Sequence, residues 1–266
     1  MDKAIQSIVT LENLLAGSIS LGTESNIGRV RDANEDSIGY DLENQLIVLA
    51  DGMGGCNAGE VASALAVNVI LREFRQLPLE LKDRENPFHV GPEAIRLCTA
   101  ISKANAEIYQ SGLDNPEYEG MGTTVVAVLV KPEQAIIASI GDSRVYLLRN
   151  HQLVQLTVDH TLLQEHLDSG LISEAEAQHY AGGGLITRAL GVDETVKIDV
   201  QEQPTAIGDT FLLCSDGLFD MLANEEIYQA LKGESDLNFA AKRLIQLAND
   251  RGGYDNISVV LVRIDR

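Results

Sequence analysis

Cysteine is scarce and scattered in this 266-residue chain: Cys56, Cys98 and Cys214 stand far apart and form no CxxC pair. That argues against a disulfide framework and a cysteine-based zinc site, and it points to a reducing compartment. No apolar run approaches the roughly 20 residues that a membrane-spanning helix needs. The N-terminal stretch carries Asp2 and Glu12 and lacks the apolar core of a secretion signal. A cytoplasmic location is the expectation. Positive charge is also short, since 20 basic residues face 40 acidic ones and leave a formal charge of −20. Such a field repels nucleic acid and anionic lipid at long range and concentrates cations. An ordinary solvated acidic surface accounts for most of those acids.

A subset of the aspartates is placed differently. The apolar runs LIVLAD, IIASIGD and FLLCSD end in Asp51, Asp142 and Asp216, each followed by Gly or Ser. Asp255 stands immediately before the apolar run ISVVLV, and Asp36 closes the polar stretch RDANED. Taken singly, an Asp-Gly step is a favoured hairpin dipeptide. Jointly, core strands that deliver carboxylates to one sheet edge create a cluster that cannot stay ionised without positive charge among it. Hard divalent cations with oxygen ligands meet that need. The pattern points to a metal site and a metal-assisted reaction.

The organisation of the chain follows from periodicity. Residues 1–16 have an amphipathic helical pattern, and strands are expected near 37–42 and 45–50 with Glu43-Asn44 between them. Long helices are expected from Gly59 to about Arg75 and from about Pro92 to Gln110, separated by a proline-containing loop. From Gly122 the period changes to that of strands: TTVVAVLV, QAIIASI, RVYLLR and QLVQL. Residues 157–191 break the regularity with short helical patterns and a Gly182-Gly183-Gly184 step, and read as an inserted mobile segment. Strands resume at VKIDVQEQ and DTFLLCS, helices at 224–232 and 237–250, and the chain ends in ISVVLVRID. Helices bracketing a strand-rich middle predict a central β-sandwich with helices on its outer faces. With no linker interrupting the strands, one domain is expected.

The ordered set RDANED, LADGMGG, MGTT, GDSR, CSDG and YDN resembles the metal-dependent serine/threonine protein phosphatases of type 2C, the PPM family, and among them the bacterial stand-alone catalytic domains. The resemblance runs over about residues 18–265. It implies an α+β fold, a four-layer αββα sandwich of two antiparallel sheets flanked by helices. Residues 1–17 would be a helical extension, 18–266 the catalytic domain, and 157–191 the flap beside the active site. The implied reaction is hydrolysis of phosphoserine and phosphothreonine in proteins, by in-line attack of a hydroxide bridging two Mn2+ or Mg2+ ions. Asp51 would bridge the ions, the Gly52 carbonyl would coordinate the first, and Asp216 and Asp255 would bind the second. Asp36, with Glu35 beside it, would act on the bimetal centre largely through water, and Asp142 would belong to a third, weaker site. Arg31 would grip the substrate phosphate with its planar fork, where a surface ion pair with Asp32 or Glu35 is the plainer reading.

Two positions depart from the family pattern. Met53 stands where many eukaryotic members have a histidine proposed as general acid, which leaves the acid unassigned. Cys56 occupies a slot that often holds histidine, and a small side chain in a tight turn is the simpler role for it. Arg144 reads as an orienting residue, Thr123 and Thr124 as the start of a core strand, and His89, His151, His166 and His179 as surface residues. His160 is left between a structural role, which is favoured, and contact with substrate. The expected partners are phosphoproteins made by eukaryotic-like serine/threonine kinases, with neither nucleic acid nor a membrane span. The alternatives are a catalytically weak relative that binds phosphoproteins or a kinase, and a hydrolase of small phosphate esters.

Overall fold

The structure is a computed structural model that describes residues 19–54, 58–77, 91–177, 180 and 184–265. The expected helix over 1–16, Cys56, His89 and His179 lie outside the described residues.

Two antiparallel sheets lie face to face. The first takes its strands in the order β1-β11-β10-β7-β8, from Ile19–Asn26 (β1), Ile257–Ile264 (β11), Thr210–Cys214 (β10), Arg144–Arg149 (β7) and Gln152–Gln155 (β8). The second runs β2-β3-β5-β6-β9, from Asp36–Asp41 (β2), Leu46–Met53 (β3), Val125–Lys131 (β5), Gln134–Ile140 (β6) and Asp199–Pro204 (β9), with the short Gly122–Thr123 (β4) paired to the end of β3. The last strand in sequence, β11, sits between β1 and β10. Both ends of the described chain are thereby tied into one sheet.

Alternation along each strand separates three apolar layers. Ile47 and Leu49 of β3 and Val126 and Val128 of β5 face Val145, Leu147, Phe211, Leu213, Val260 and Val262 between the sheets. The alternate residues Leu46, Val48 and Ala50 face outward, onto the helices Ala58–Gln76 (α1) and Pro92–Asp114 (α2). On the other side Tyr146, Leu212 and Cys214 pack under Asn224–Leu231 (α6) and Leu237–Asp250 (α7). The result is the four-layer α+β sandwich. Runs such as LIVLA are apolar at every position because both faces of these strands are covered.

Boundaries shift where local chemistry competes with periodicity. The helix expected to end at Gln110 continues to Asp114, and the strand expected from Val196 begins at Asp199. The segment expected to break the strand pattern contains the short helices Leu162–Asp168 (α3) and Glu174–Ala177 (α4). The side chain of Thr161 caps the first of these by accepting from the Gln164 N–H. Neither Asp-Gly step near the site is a hairpin turn. Asp51-Gly52 continues β3 as far as Met53, and Asp216-Gly217 opens a one-turn helix, Asp216–Phe219 (α5), absent from the sequence reading.

Candidate active site

The carboxylates meet at one end of the sandwich, where four β-strands and α5 finish or begin. Antiparallel pairing sets Asp36 of β2 directly opposite Asp51 of β3. Asp216 comes from the other sheet, at the end of β10, and Asp255 from the loop before β11. A single cleft is lined by Arg31, Glu35, Asp51, Gly52, Met53, Asp216 and Asp255. Asp216 also lines an adjoining cavity of about 390 Å³, shared with Asp142, Asp159 and Asp220.

Hydrogen bonds fix the backbone beneath these groups. Thr124 Oγ1 accepts from the Asp51 N–H at 3.1 Å and contacts Ser143 Oγ at 2.7 Å, while Thr123 Oγ1 donates to the Asp51 carbonyl at 2.9 Å. The two threonines of MGTT therefore seat Asp51. Asn256 clamps the RDANED loop: its Nδ2 donates to the carbonyls of Ile27 and Ala33, and its Oδ1 accepts from the Glu35 N–H at 2.8 Å. The Ser215 hydroxyl donates to Asp36 Oδ2 at 2.8 Å and accepts from the Ser258 N–H. Gly52 is demanded by close approach, because a Cβ there would lie 2.1 Å from the Gly59 carbonyl oxygen and 2.7 Å from that of Glu35.

The electrostatics of the cleft are those of crowded acids. Burial, then Asp36 and Asp216, raise Asp51 well above the usual carboxylate range. Burial and the neighbouring Asp142 and Asp255 push Asp216 up to about 8. Burial raises Asp36 to about 6 against the hydrogen bonds from Ser258 and Ser215, and burial with Asp159 raises Asp142 to about 6. Asp36, Asp142 and Asp216 each keep a buried Oδ1 with no hydrogen-bond partner. An unpaired buried polar atom costs about 1–3 kcal/mol, and a charged one more.

These orphaned oxygens fit divalent cations. Among the described residues no three His, Cys, Asp or Glu side chains form a metal-holding group by themselves. Ions held here would draw their remaining ligands from water and backbone carbonyls, as hard cations commonly do.

Arg31 lies with the acids, and its partner differs from both sequence candidates. Its Nη2 donates to Asp255 Oδ2 at 2.5 Å, with the arginine side chain 54% exposed. The phosphate-gripping candidate thus rests on a metal-ligand candidate. His160 sits where the favoured structural role would put it. It is 6% exposed, its Nδ1 accepts from the Gly141 N–H at 2.9 Å, and its Nε2 lies 3.2 Å from Asp199 Oδ2. Nε2 also lies 2.9 Å from Arg188 Nη1, which itself donates to Asp199 Oδ1, so both ring nitrogens are engaged by protein groups. Burial lowers the pKa of this ring, so it is neutral. It ties Gly141 to β9 and does not line the cleft that holds Arg31 and Asp51.

Arg144 orients neighbouring groups, as expected. It forms a multiply bonded pair with Asp159, donates to Tyr146 Oη at 3.0 Å, and stacks 3.6 Å from the centre of the Phe219 ring. His151 is exposed, whereas the half-buried His166 shares a hydrogen bond with the Tyr180 hydroxyl. Sequence reasoning missed Ser215, Asn256 and Asp220. Asp220 stands four residues after Asp216, a spacing that places both on one helical face; this signal becomes legible once the DGLFD segment is read as helix.

A family model described as Protein phosphatase 2C matches residues 29–251. The chain is 40% identical over 241 residues to the serine/threonine phosphatase stp of Listeria monocytogenes, covering 90% of this chain and 93% of that protein. The crystal structure of serine/threonine phosphatase Stp1 from Staphylococcus aureus superposes with a TM-score of 0.83 at 33% identity, over 95% of this chain and 97% of that one. The catalytic domain of the serine/threonine protein phosphatase PstP, solved in complex with 2 manganese ions, superposes with a TM-score of 0.78 at 36% identity, over 93% and 99% of the two chains.

Proposed function

This chain belongs to the protein phosphatase 2C family, and on that premise we propose that it hydrolyses phosphoserine and phosphothreonine in proteins with the help of divalent cations. The observation that carries the reading is the meeting of Asp51, Asp216, Asp255 and Arg31 in one cleft whose buried carboxylate oxygens lack partners.

Asp51 and the Gly52 carbonyl would hold a first ion, with Asp51, Asp216 and Asp255 holding a second. Asp36 would act through water and Asp142 would serve a third, weaker site. Manganese suits this set, as does magnesium. When bound, such ions lower the pKa of a shared water toward neutrality and neutralise charge on the phosphoryl oxygens. The chain's own residues do the rest. Arg31 presents two parallel N–H donors to a phosphoryl group, a geometry matched to oxyanions. Thr123 and Thr124 hold the Asp51 backbone, and Ser215 fixes the Asp36 carboxylate. No cysteine or serine nucleophile is required, and no phosphoenzyme forms. His160 lies outside the cleft, with Nε2 against Asp199 and Arg188, and solvent is read as the source of the proton for the leaving alkoxide.

The substrates are read as phosphoproteins made by eukaryotic-like serine/threonine kinases. A cytoplasmic location is supported by the free, buried Cys98 and Cys214. Among the described residues no helix is long and apolar enough to cross a membrane. The test is hydrolysis of a phosphothreonine peptide with manganese, then with EDTA, beside free nucleotides. Strong manganese-dependent cleavage of the peptide is expected. Equal rates after EDTA treatment sink the metal-assisted reading, and preference for nucleotides sinks the protein-phosphatase reading.

A further inference from the structure

Met53 and Ile186 have a second side. On one they line the catalytic cleft, and on the other they wall a neighbouring cavity of about 220 Å³. Beyond these two, its aliphatic lining is Ala189, Val192 and Val196, and five polar residues complete it, Arg188, Asp193 and Lys197 among them. Val192 is 52% exposed, an apolar side chain facing solvent beside a functional site.

The walls are built, and three separate anchors hold them. The Ile186 stretch pairs with the residues around Thr161: the Leu162 N–H donates to the Leu185 carbonyl and the Thr187 N–H to the His160 carbonyl, each at 2.9 Å. Leu190 exchanges both backbone hydrogen bonds with Thr123, whose hydroxyl also seats Asp51. The loop that carries Val192 hangs on Asn105, a buried side chain of α2. Its Nδ2 donates to the carbonyls of Asp193 and Glu194, and its Oδ1 accepts from the Gly191 N–H. Gly191 takes φ of 84°, and a Cβ there would lie 2.1 Å from Ile108 Cγ2. The loop is therefore set down tightly on the core, in a conformation that glycine permits.

We propose that this cavity receives an aliphatic side chain of the substrate polypeptide, from a residue close in sequence to the phosphorylated one. The inference rests on the phosphatase reading above and deepens it. Continuity with the catalytic cleft identifies the occupant, because only the thickness of the Met53 and Ile186 side chains separates the two spaces. An extended peptide advances roughly 3.3–3.6 Å per residue, so a phosphorylated residue in the cleft leaves its near neighbours over that wall. The volume lies below the roughly 300–1,000 Å³ of drug-sized pockets, which suits one side chain. Pinned walls lower the ordering cost of binding, so the contact adds to substrate affinity.

The test is a set of phosphothreonine peptides, alanine elsewhere, in which one leucine is moved from three residues before to three residues after the phosphothreonine. With manganese, wild type should favour leucine over alanine at one position by about tenfold in kcat/KM, the discrimination a hydrophobic pocket supplies for a few methylenes, and mainly through KM. Val192→Asp should reduce that preference to within about twofold and leave p-nitrophenyl phosphate turnover unchanged. Val192→Thr, which preserves the shape, carries the same test if the aspartate variant fails to fold. A flat profile with brisk cleavage, or a leucine preference that survives both variants, overturns this inference alone. Absence of cleavage of every phosphopeptide overturns the phosphatase reading and this inference with it.

Discussion

Asp216 has a pKa near 8 although an ordinary aspartate titrates near 4. The folded chain therefore binds this proton more tightly than the unfolded chain does. Stability from the group is full below about pH 4 and is lost as pH rises toward about 8. Asp36 and Asp142, both raised to about 6, act in the same direction over the lower part of that window. In EDTA the thermal midpoint should fall steadily between pH 5 and pH 8. Asp216→Asn should flatten the slope and raise the midpoint at pH 8, and manganese should do the same to wild type. An unchanged slope in the variant, followed by calorimetry, would show that the acid cluster does not set the pH dependence. Asp51→Asn and Asp216→Asn should each lower phosphopeptide turnover at least ~100-fold, since the groups that would hold the cations are gone.

Arg31 competes with cations for one carboxylate. Its bond to Asp255 opposes any cation that needs that carboxylate. Arg31→Ala should therefore tighten manganese binding in calorimetric titration while lowering kcat/KM for phosphopeptides about 100-fold, with lysine a partial rescue on the kinetic side only. Unchanged kcat/KM would return Arg31 to a surface ion pair.

Among the elements, α5 is one helical turn long and carries Asp216 at its start. Arg144 steadies it by stacking on Phe219, while its guanidinium holds Asp159 at the base of the 157–191 segment. One side chain thus joins a strand, the helix that carries Asp216 and the 157–191 segment. Both partners of the ion pair are largely buried, so Arg144→Ala should cost about 2–4 kcal/mol by leaving Asp159 unpaired. Arg144→Lys should recover part of that, because the fork and the stacking are lost. A midpoint shift of less than a degree in thermal unfolding would show that the junction is slack. Replacing residues 162–184 with a short turn should change the ranking of protein substrates more than it changes p-nitrophenyl phosphate turnover, as lids do. Equal losses on both would make the segment a support of the cleft.

Across the whole molecule, the charge of −20 opposes acidic ligands at distances beyond direct contact. Raising ionic strength shortens the Debye length from about 10 Å at 0.1 M to about 3 Å at 1 M. Cleavage of a phosphopeptide flanked by glutamates should therefore speed up with added potassium chloride, while one flanked by lysines slows. Parallel salt responses would show that the local field of Arg31, Lys197 and the bound ions outweighs the net charge.

Much of this was open to reading in the primary structure, for a physical reason. Alternation and apolar runs encode which strand faces are buried, so QAIIASI and RVYLLR mark their strands to the residue. The acids at the strand ends announce a cation site, because carboxylates placed together by core strands need positive charge wherever the fold sets them. Distances in space are not encoded locally, and tertiary structure alone decided what depends on them. It gave Arg31 to Asp255, 224 residues away, and not to its neighbours Asp32 or Glu35. It turned His160 inward to Gly141 and Asp199, since only packing decides which faces of a ring meet solvent. It made Asp216-Gly217 a helix start and Asp51-Gly52 a strand end, two outcomes for one dipeptide, chosen by what lies beyond: Gly59 and Glu35 crowding one, the Phe219 ring under Arg144 holding the other.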